Sequence, residues 1–314
     1  MTAPTRCPNC GAATRRAFVK NGYTIVRCTR CRLEVVDPIP DDDALRAQYD
    51  DEEWYDWTSV SRSETDLESL RSSDVALPAS QRRAYDELLD AAEEAVGAKG
   101  SLLDVGCGNG PLLLRARDRG WDVHGLETSE WAVRFDREVL DLDVRRGVLE
   151  SHPYAGERFD VVTLIHSLEH MPRPVAALRA VHELLTERGA MRVEVPNCGS
   201  LGRRLNREHW RAYVPPSHLW YFTRGTLVDT LAKAGFDVFD VDNRGFAPGT
   251  WRTSVTAGGR DDVDAAQPSD PSDTGARSPK QLVKRYLRAP LQRLWLLDGL
   301  GAWARAAPGG SAGS

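Results

Sequence analysis

The sequence predicts an α/β fold, a doubly wound and mostly parallel sheet behind a small N-terminal ribbon, on three observations. Apolar runs of strand character alternate with helical periodicities between residues 101 and 196. A glycine-rich run closes the first of those strands, and four of the six cysteines fall within the first 31 residues as two Cys-x-x-Cys pairs. Strand–helix alternation gives a parallel sheet covered by helices on both faces, joined by right-handed crossovers. The 314 residues are about two domains' worth of chain and ample for a hydrophobic core.

Residues 1–36 open the chain. Cys7 and Cys10, then Cys28 and Cys31, form two pairs with 17 residues between them, the spacing of a zinc ribbon. Two residues between thiolates let each short turn offer both sulfurs to one ion, and the segment AFVKNGYTIVR reads as a hairpin turning at Asn21-Gly22. Four protein thiolates leave zinc no open position, so this zinc is expected to be structural. Residues 37–80 are acidic, with Pro38, Pro40 and the aromatics Tyr49, Trp54, Tyr55 and Trp57, and read as a linker or lid with a short helix near 42–49.

Residues 81–97 form an amphipathic helix, since Tyr85, Leu88, Leu89, Ala92 and Val96 recur at helical spacing and Gly97 can end it. Strands follow at 101–108, 122–127, 159–166 and 190–196, with helices at 111–119, 129–140 and 173–186. This domain is expected to run from 81 to 257, with a last strand at 236–241.

Ligands of such sheets bind at the carboxyl ends of the strands. There the first strand runs into Asp104-Val-Gly106-Cys-Gly108-Asn-Gly110, where missing side chains permit a tight turn and close approach, and Pro111 suits a first helical turn. The dinucleotide pattern G-x-G-x-x-G fails here, because its last position is Pro111 or Leu113. Glu127, 21 residues after Gly106, is placed to accept hydrogen bonds from ribose hydroxyls. Together these residues favour a nucleoside without a pyrophosphate.

The blocks LLDVGCGNG, Glu127 and GVLESHPYAGERFDVVTLIHSLEHMPRPVAALR resemble class I S-adenosylmethionine (SAM)-dependent methyltransferases, in particular a bacterial subfamily with an N-terminal zinc-binding segment. The resemblance continues through PNCGSLGRRLNREHWRAYVPPSHLWYFTRGTLVDTLAKAGFDV and covers roughly residues 5–245. It implies a Rossmann-like fold with SAM as cofactor. Asp104, Gly106, Cys107, Gly108 and Gly110 would then surround the methionine part, Glu127 and Thr128 the ribose, and Leu149 and Glu150 the adenine. Relatives often carry an acid where this chain has Val148.

Methyl transfer needs alignment of a nucleophile more than acid–base machinery, and a base matters for a hydroxyl or carbon acid. His166, His218 and His170 are the candidates, because imidazole titrates near neutral pH. His166, Glu169 and His170 also resemble the E-x-x-E-H arrangement of ubiquinone-pathway O-methyltransferases, which implies a divalent metal there, with His166 replacing the first Glu. Cys107 and Cys198 read as small packing residues rather than nucleophiles. The long stretch from Asn197 to Thr223 interleaves Trp210, Tyr213, Trp220 and Tyr221 with Arg203, Arg204, Arg207 and Arg211, which reads either as a set able to grip an anionic or sugar-bearing acceptor or as an arginine-rich solvated face.

Residues 258–279, rich in Asp, Ser, Pro and Gly, read as a disordered linker. Residues 280–314 read as a basic amphipathic helix and tail: six Lys or Arg oppose Asp298 over 280–305, which suits a peripheral membrane contact or packing on the domain. GAWARAAPGGSAGS does not read as a strand, which leaves completion of the sheet open. No run is long enough to span a membrane and MTAPTRCPNCG offers no signal segment, so a reducing, cytoplasmic setting is expected.

With 41 Lys plus Arg against 46 Asp plus Glu, the net charge of −5 gives no footprint of a nucleic-acid binder. The sequence therefore predicts methyl transfer to a small-molecule acceptor such as a sugar, glycolipid precursor or natural-product intermediate. The competing readings are an RNA methyltransferase using the ribbon for grip and a non-catalytic SAM-binding sensor or scaffold. The oligomeric state is not legible.

Overall fold

A computed structural model describes residues 6–49, 71–244 and 297–307. Trp54, Tyr55, Trp57, the 258–279 linker and the helix expected from residue 280 to 296 lie outside the described residues.

The ribbon begins with β1 (Thr14–Lys20) and β2 (Tyr23–Cys28), an antiparallel hairpin, joined by β3 (Glu34–Val36) on the far side of β2. Asn21 and Gly22 both have positive φ, 48° and 80°, the pair of left-handed residues that a tight hairpin turn demands. Helix α1 (Asp42–Tyr49) follows where it was expected. Ahead of the main sheet lie α2 (Ser73–Ala76) and α3 (Ala79–Val96), the latter ended by Gly97 in the left-handed conformation.

The main sheet then alternates with helices: β4 (Ser101–Val105), α4 (Pro111–Asp118), β5 (Asp122–Glu127), α5 (Glu130–Glu138), β6 (Asp143–Arg146), β7 (Phe159–Ile165), α6 (Pro174–Leu184) and β8 (Leu185–Pro196). Helix α7 (Leu201–Asn206) and the two-residue strand β9 (Trp220–Tyr221) break up the long connection, before α8 (Arg224–Lys233) and β10 (Phe236–Arg244). The last described strand is β11 (Gly299–Ala306).

The strand order is β10-β11-β8-β7-β4-β5-β6, with β4 through β8 mutually parallel. Strand β11 inserts antiparallel between β8 and β10 and completes the sheet. This corrects the helical reading of residues 299–306. The segment GLGAWARA carries no β-branched residue, yet six of its eight residues are buried, and neighbours on both edges take its backbone groups. Small side chains are what the site requires: a Cβ on Gly301 would lie 2.0 Å from the buried Arg192 guanidinium. Strand β6 was also not expected, since only Val144 of DVRR is apolar and buried.

The order in which successive strands are added reverses between β4 and β7, the topological switch point at which ligands of such sheets bind. The ribbon is not a separate lobe. Its Ile25, Leu33, Val35 and Val36 share one hydrophobic core with Leu178, Tyr213, Tyr221 and Leu227 of the α/β half, and β9 pairs with β3 to extend the ribbon sheet to four strands. Among the described residues, no helix is long and apolar enough to cross a membrane.

Candidate active site and cysteine cluster

The turn after β4 is held from both sides. Gly106 donates its N–H to the Leu126 carbonyl at 2.7 Å, and Gly108 donates to Glu127 Oε2 at 2.9 Å. Oε1 of Glu127 accepts from the Thr128 and Ser129 N–H groups at 2.7 and 2.9 Å, so this buried carboxylate is fixed where β5 ends. Ser129 in turn caps α5 through Ala132.

The three glycines of the turn do different things. A Cβ on Gly106 would lie 2.7 Å from that of Ser167, and a Cβ on Gly110 would meet Leu142 at 2.7 Å and Asp136 at 2.9 Å. Only Gly108, at φ +59°, faces open space. Gly106 and Gly110 therefore exist for close packing, and Gly108 is the position at which a ligand can approach the backbone.

Cys107 turns its side chain into the core. Its buried sulfur packs beneath Gly125 and 3.7 Å from Asp136 Oδ2, and burial holds the thiol far above its ordinary pKa. Sequence reasoning passed over Asp136 itself, whose carboxyl is also raised well above the usual range by burial and by Glu127. Asp104 accepts a hydrogen bond from Thr163 Oγ1 at 2.6 Å, and burial, with Glu127 adding, pushes its pKa up to about 7. Leu149 is buried in a short 3-10 turn, while Glu150 beside it is partly exposed, 3.8 Å from Arg173 Nε.

Across the switch point, β7 delivers His166 at φ +56°, its N–H bonded to the Glu194 carbonyl. The chain then makes one 3-10 turn, Leu168–His170, whose N-terminal Ser167 is the residue that packs on Gly106. His166 Nδ1 lies 3.5 Å from Glu169 Oε1, with the imidazole 22% exposed and the carboxylate 0%. Neither Glu169 oxygen has a hydrogen-bond partner among the described residues. Burial works to raise the Glu169 pKa, but His166, His170 and His218 around it hold it below the usual value. A buried carboxylate needs a positive counterpart, here a proton on an imidazole or a cation.

His218 lies inside the wall of the site. It is 2% exposed, its Nδ1 lies 2.9 Å from the Ala212 carbonyl, and its ring meets His170 edge-on at 4.8 Å. Burial, with His170, presses its pKa down to about 3. One ligand atom each from Glu169, His170 and His218 falls within 4.8 Å of the others, a set able to hold a metal ion; His166, expected in that set, is replaced by His218.

The aromatics of the 197–223 stretch are core rather than a stacking platform: Trp210, Tyr213, Trp220 and Tyr221 are all at most 5% exposed. Arg203 is bound to Glu34 of the ribbon at 2.6 Å. The sequence singles out Arg203, Tyr213, Trp220 and Tyr221 but not their docking on the ribbon, because pairing of β3 with a two-residue β9 leaves no periodicity to read.

The four ribbon cysteines are free thiols with their sulfurs within 4.8 Å of one another. Cys7 and Cys31 sulfurs are 3.7 Å apart and those of Cys10 and Cys28 3.4 Å, close to the ~3.8 Å edge of a tetrahedron built on a Zn–S bond of about 2.3 Å. N–H groups of Arg30 and Cys31 point at the Cys28 sulfur. The donor set fits zinc.

Residues 79–241 match a family model described as a methyltransferase domain. Ubiquinone biosynthesis O-methyltransferases of Ruegeria pomeroyi and Cereibacter sphaeroides are 31% and 32% identical over 173 and 171 residues, which is 49% of this chain and 67% of each relative. A SAM-dependent methyltransferase from Archaeoglobus fulgidus superposes with a TM-score of 0.47 at 19% identity, over 71% of this chain and 93% of that one. The ribbon lies outside the 79–241 match.

Proposed function

Because the chain belongs to the methyltransferase-domain family and is a class I SAM-dependent methyltransferase, we propose that it methylates a hydroxyl of a small molecule, with His166 as the proton acceptor. The observation that carries this reading is the His166–Glu169 pair, an accessible imidazole backed by a buried carboxylate, flanking Ser167, which packs on the glycine turn.

SAM, when bound, supplies an electrophilic methyl group on a sulfonium. Open space at Gly108 and the carboxylate of Glu127 fit the amino acid and ribose parts of such a ligand, with Asp104 on the amino acid side and Leu149 and Glu150 on the adenine side. Gly106, Cys107 and Gly110 support that cradle by packing. Glu169, 3.5 Å from Nδ1, is placed to orient the His166 ring, as a carboxylate does for an imidazole base. With Nδ1–H directed to Glu169, Nε2 takes the acceptor's proton. His218, held neutral by burial, shapes the wall.

The relatives named as O-methyltransferases favour an oxygen acceptor over nitrogen or carbon. A sugar, glycolipid precursor or natural-product intermediate remains the acceptor class we assign, and zinc in the ribbon a structural ion. Metabolite profiling of a deletion strain tests this: a small molecule lacking one methyl group should accumulate, and unchanged small-molecule pools with undermethylated RNA would refute it.

A further inference from the structure

We propose that the ribbon is the rear wall of the acceptor site, with Glu34 as a positioning residue that sets the arrangement of Glu169, His170 and His218 through Leu219. The inference rests on the reading above and adds a role for the ribbon in the reaction.

Leu219 carries the connection. Its carbonyl accepts from Val36 N–H at 3.0 Å on the ribbon edge, and its own N–H donates to the Glu169 carbonyl at 2.8 Å. One fully buried residue thus has the ribbon on one side and the candidate catalytic turn on the other. Its neighbours repeat the pattern. Trp220 pairs with Val35 in the ribbon sheet and donates its indole N–H to the Met171 carbonyl at 2.8 Å. Tyr221 pairs with Glu34 and donates its hydroxyl to the His218 carbonyl at 2.9 Å.

Glu34 locks this arrangement. Its carboxylate, 1% exposed, receives Arg27 from the ribbon and Arg203 and the Tyr213 hydroxyl from the 197–223 stretch. Buried charge of this kind is held only by complete pairing, so neutralising Glu34 loosens both arginines at once. The hairpin grips the same stretch a second time: Asn21 Nδ2 donates to the Pro215 carbonyl at 3.2 Å, and the Phe18 ring meets Tyr213 at 4.8 Å. The segment that leads to His218 is therefore held by ribbon side chains at Tyr213 and Pro215. The cofactor side is built otherwise, since Gly106 and Gly108 bond to Leu126 and Glu127. The hydrogen bonds from the ribbon thus reach the acceptor wall, whereas those of the glycine turn run to β5.

The test uses the full chain with histidine rings isotopically labelled, their signals assigned from His166→Gln, His170→Gln and His218→Gln proteins. Glu34→Gln should move the His170 and His218 ring signals while S-adenosylhomocysteine affinity, measured by calorimetry, stays within about threefold of the parent. Phe18→Ala, a milder change at the hairpin, should move the same signals in the same sense and serves if Glu34→Gln does not fold. Unmoved His170 and His218 signals in a folded variant overturn the inference, as does S-adenosylhomocysteine affinity lost in step with the shift. Parent protein that fails to bind S-adenosylhomocysteine overturns the functional reading itself, which keeps the two failures distinct.

Discussion

Gly108 donates its backbone N–H to the Glu127 carboxylate at 2.9 Å, so the turn after β4 and the acid that ends β5 form one hydrogen-bonded unit around open space. A side chain at Gly108 would enter that space, and loss of the Glu127 carboxylate would leave three backbone N–H groups without their acceptor. Gly108→Val and Glu127→Ala should each weaken S-adenosylhomocysteine binding by roughly tenfold or more, about 1.4 kcal/mol. Gly110→Val should instead lower folding stability by about 3 kcal/mol, because its Cβ meets Leu142 and Asp136. Calorimetry that finds full affinity in both Gly108→Val and Glu127→Ala would place the pocket elsewhere.

Reduced, purified protein should contain about one zinc per chain, bound by Cys7, Cys10, Cys28 and Cys31. Since ribbon and α/β half share a core, Cys28→Ser should lower the melting temperature of the whole molecule by roughly 10 °C, given the coupling of metal binding to folding. Elemental analysis and a thermal scan check both. A metal-free, fully stable Cys28→Ser protein would separate the ribbon from the fold.

The histidines should separate by role. His166→Ala should reduce turnover by about 10²-fold and leave S-adenosylhomocysteine affinity intact, the mark of a lost general base. His218→Ala removes a buried ring and its contact with Ala212, and should lower the melting temperature by roughly 5 °C. The opposite pattern in kinetics and thermal scans would move the base to His218.

Asp104 gives the site a pH signature. Its pKa, ordinarily 3.8, is pushed to about 7 by burial, so between those values the folded chain keeps a proton that the unfolded chain has released. The stability this contributes is complete below pH 4 and is lost as pH rises through 7, a change of order 4 kcal/mol. Asp104→Asn should flatten that part of the stability–pH curve. Denaturant unfolding at pH 5 and pH 8 checks it, and an equal decline in both proteins would assign the slope to other groups.

Much of this architecture is legible in sequence because it rests on local signals. The Gly97 cap, the Asn21-Gly22 turn and Pro111 at a helix start are residues whose backbone preferences act alone, and they appear where expected. Strand β11 was hidden because Gly and Ala there answer the bulk of Arg192 across the sheet, a pressure from a residue far away in sequence. The site divides in the same way. Gly108 and Glu127 follow from their place at strand ends, and His166 with Glu169 from their spacing of three in one turn. That Gly106 and Gly110 serve packing, that Cys107 turns into the core and that His218 is enclosed depend on Ser167, Leu142, Asp136 and Ala212, partners no spacing rule connects.

The most direct test of the central claim follows a labelled methyl group from SAM into an extract of the source organism, with the Gly108→Val protein as the blank. The account predicts label in the small-molecule fraction, resistant to nuclease and protease, present with the parent protein and reduced with His166→Ala. Label recovered in RNA, or no label above the blank from a protein that binds S-adenosylhomocysteine, would contradict it.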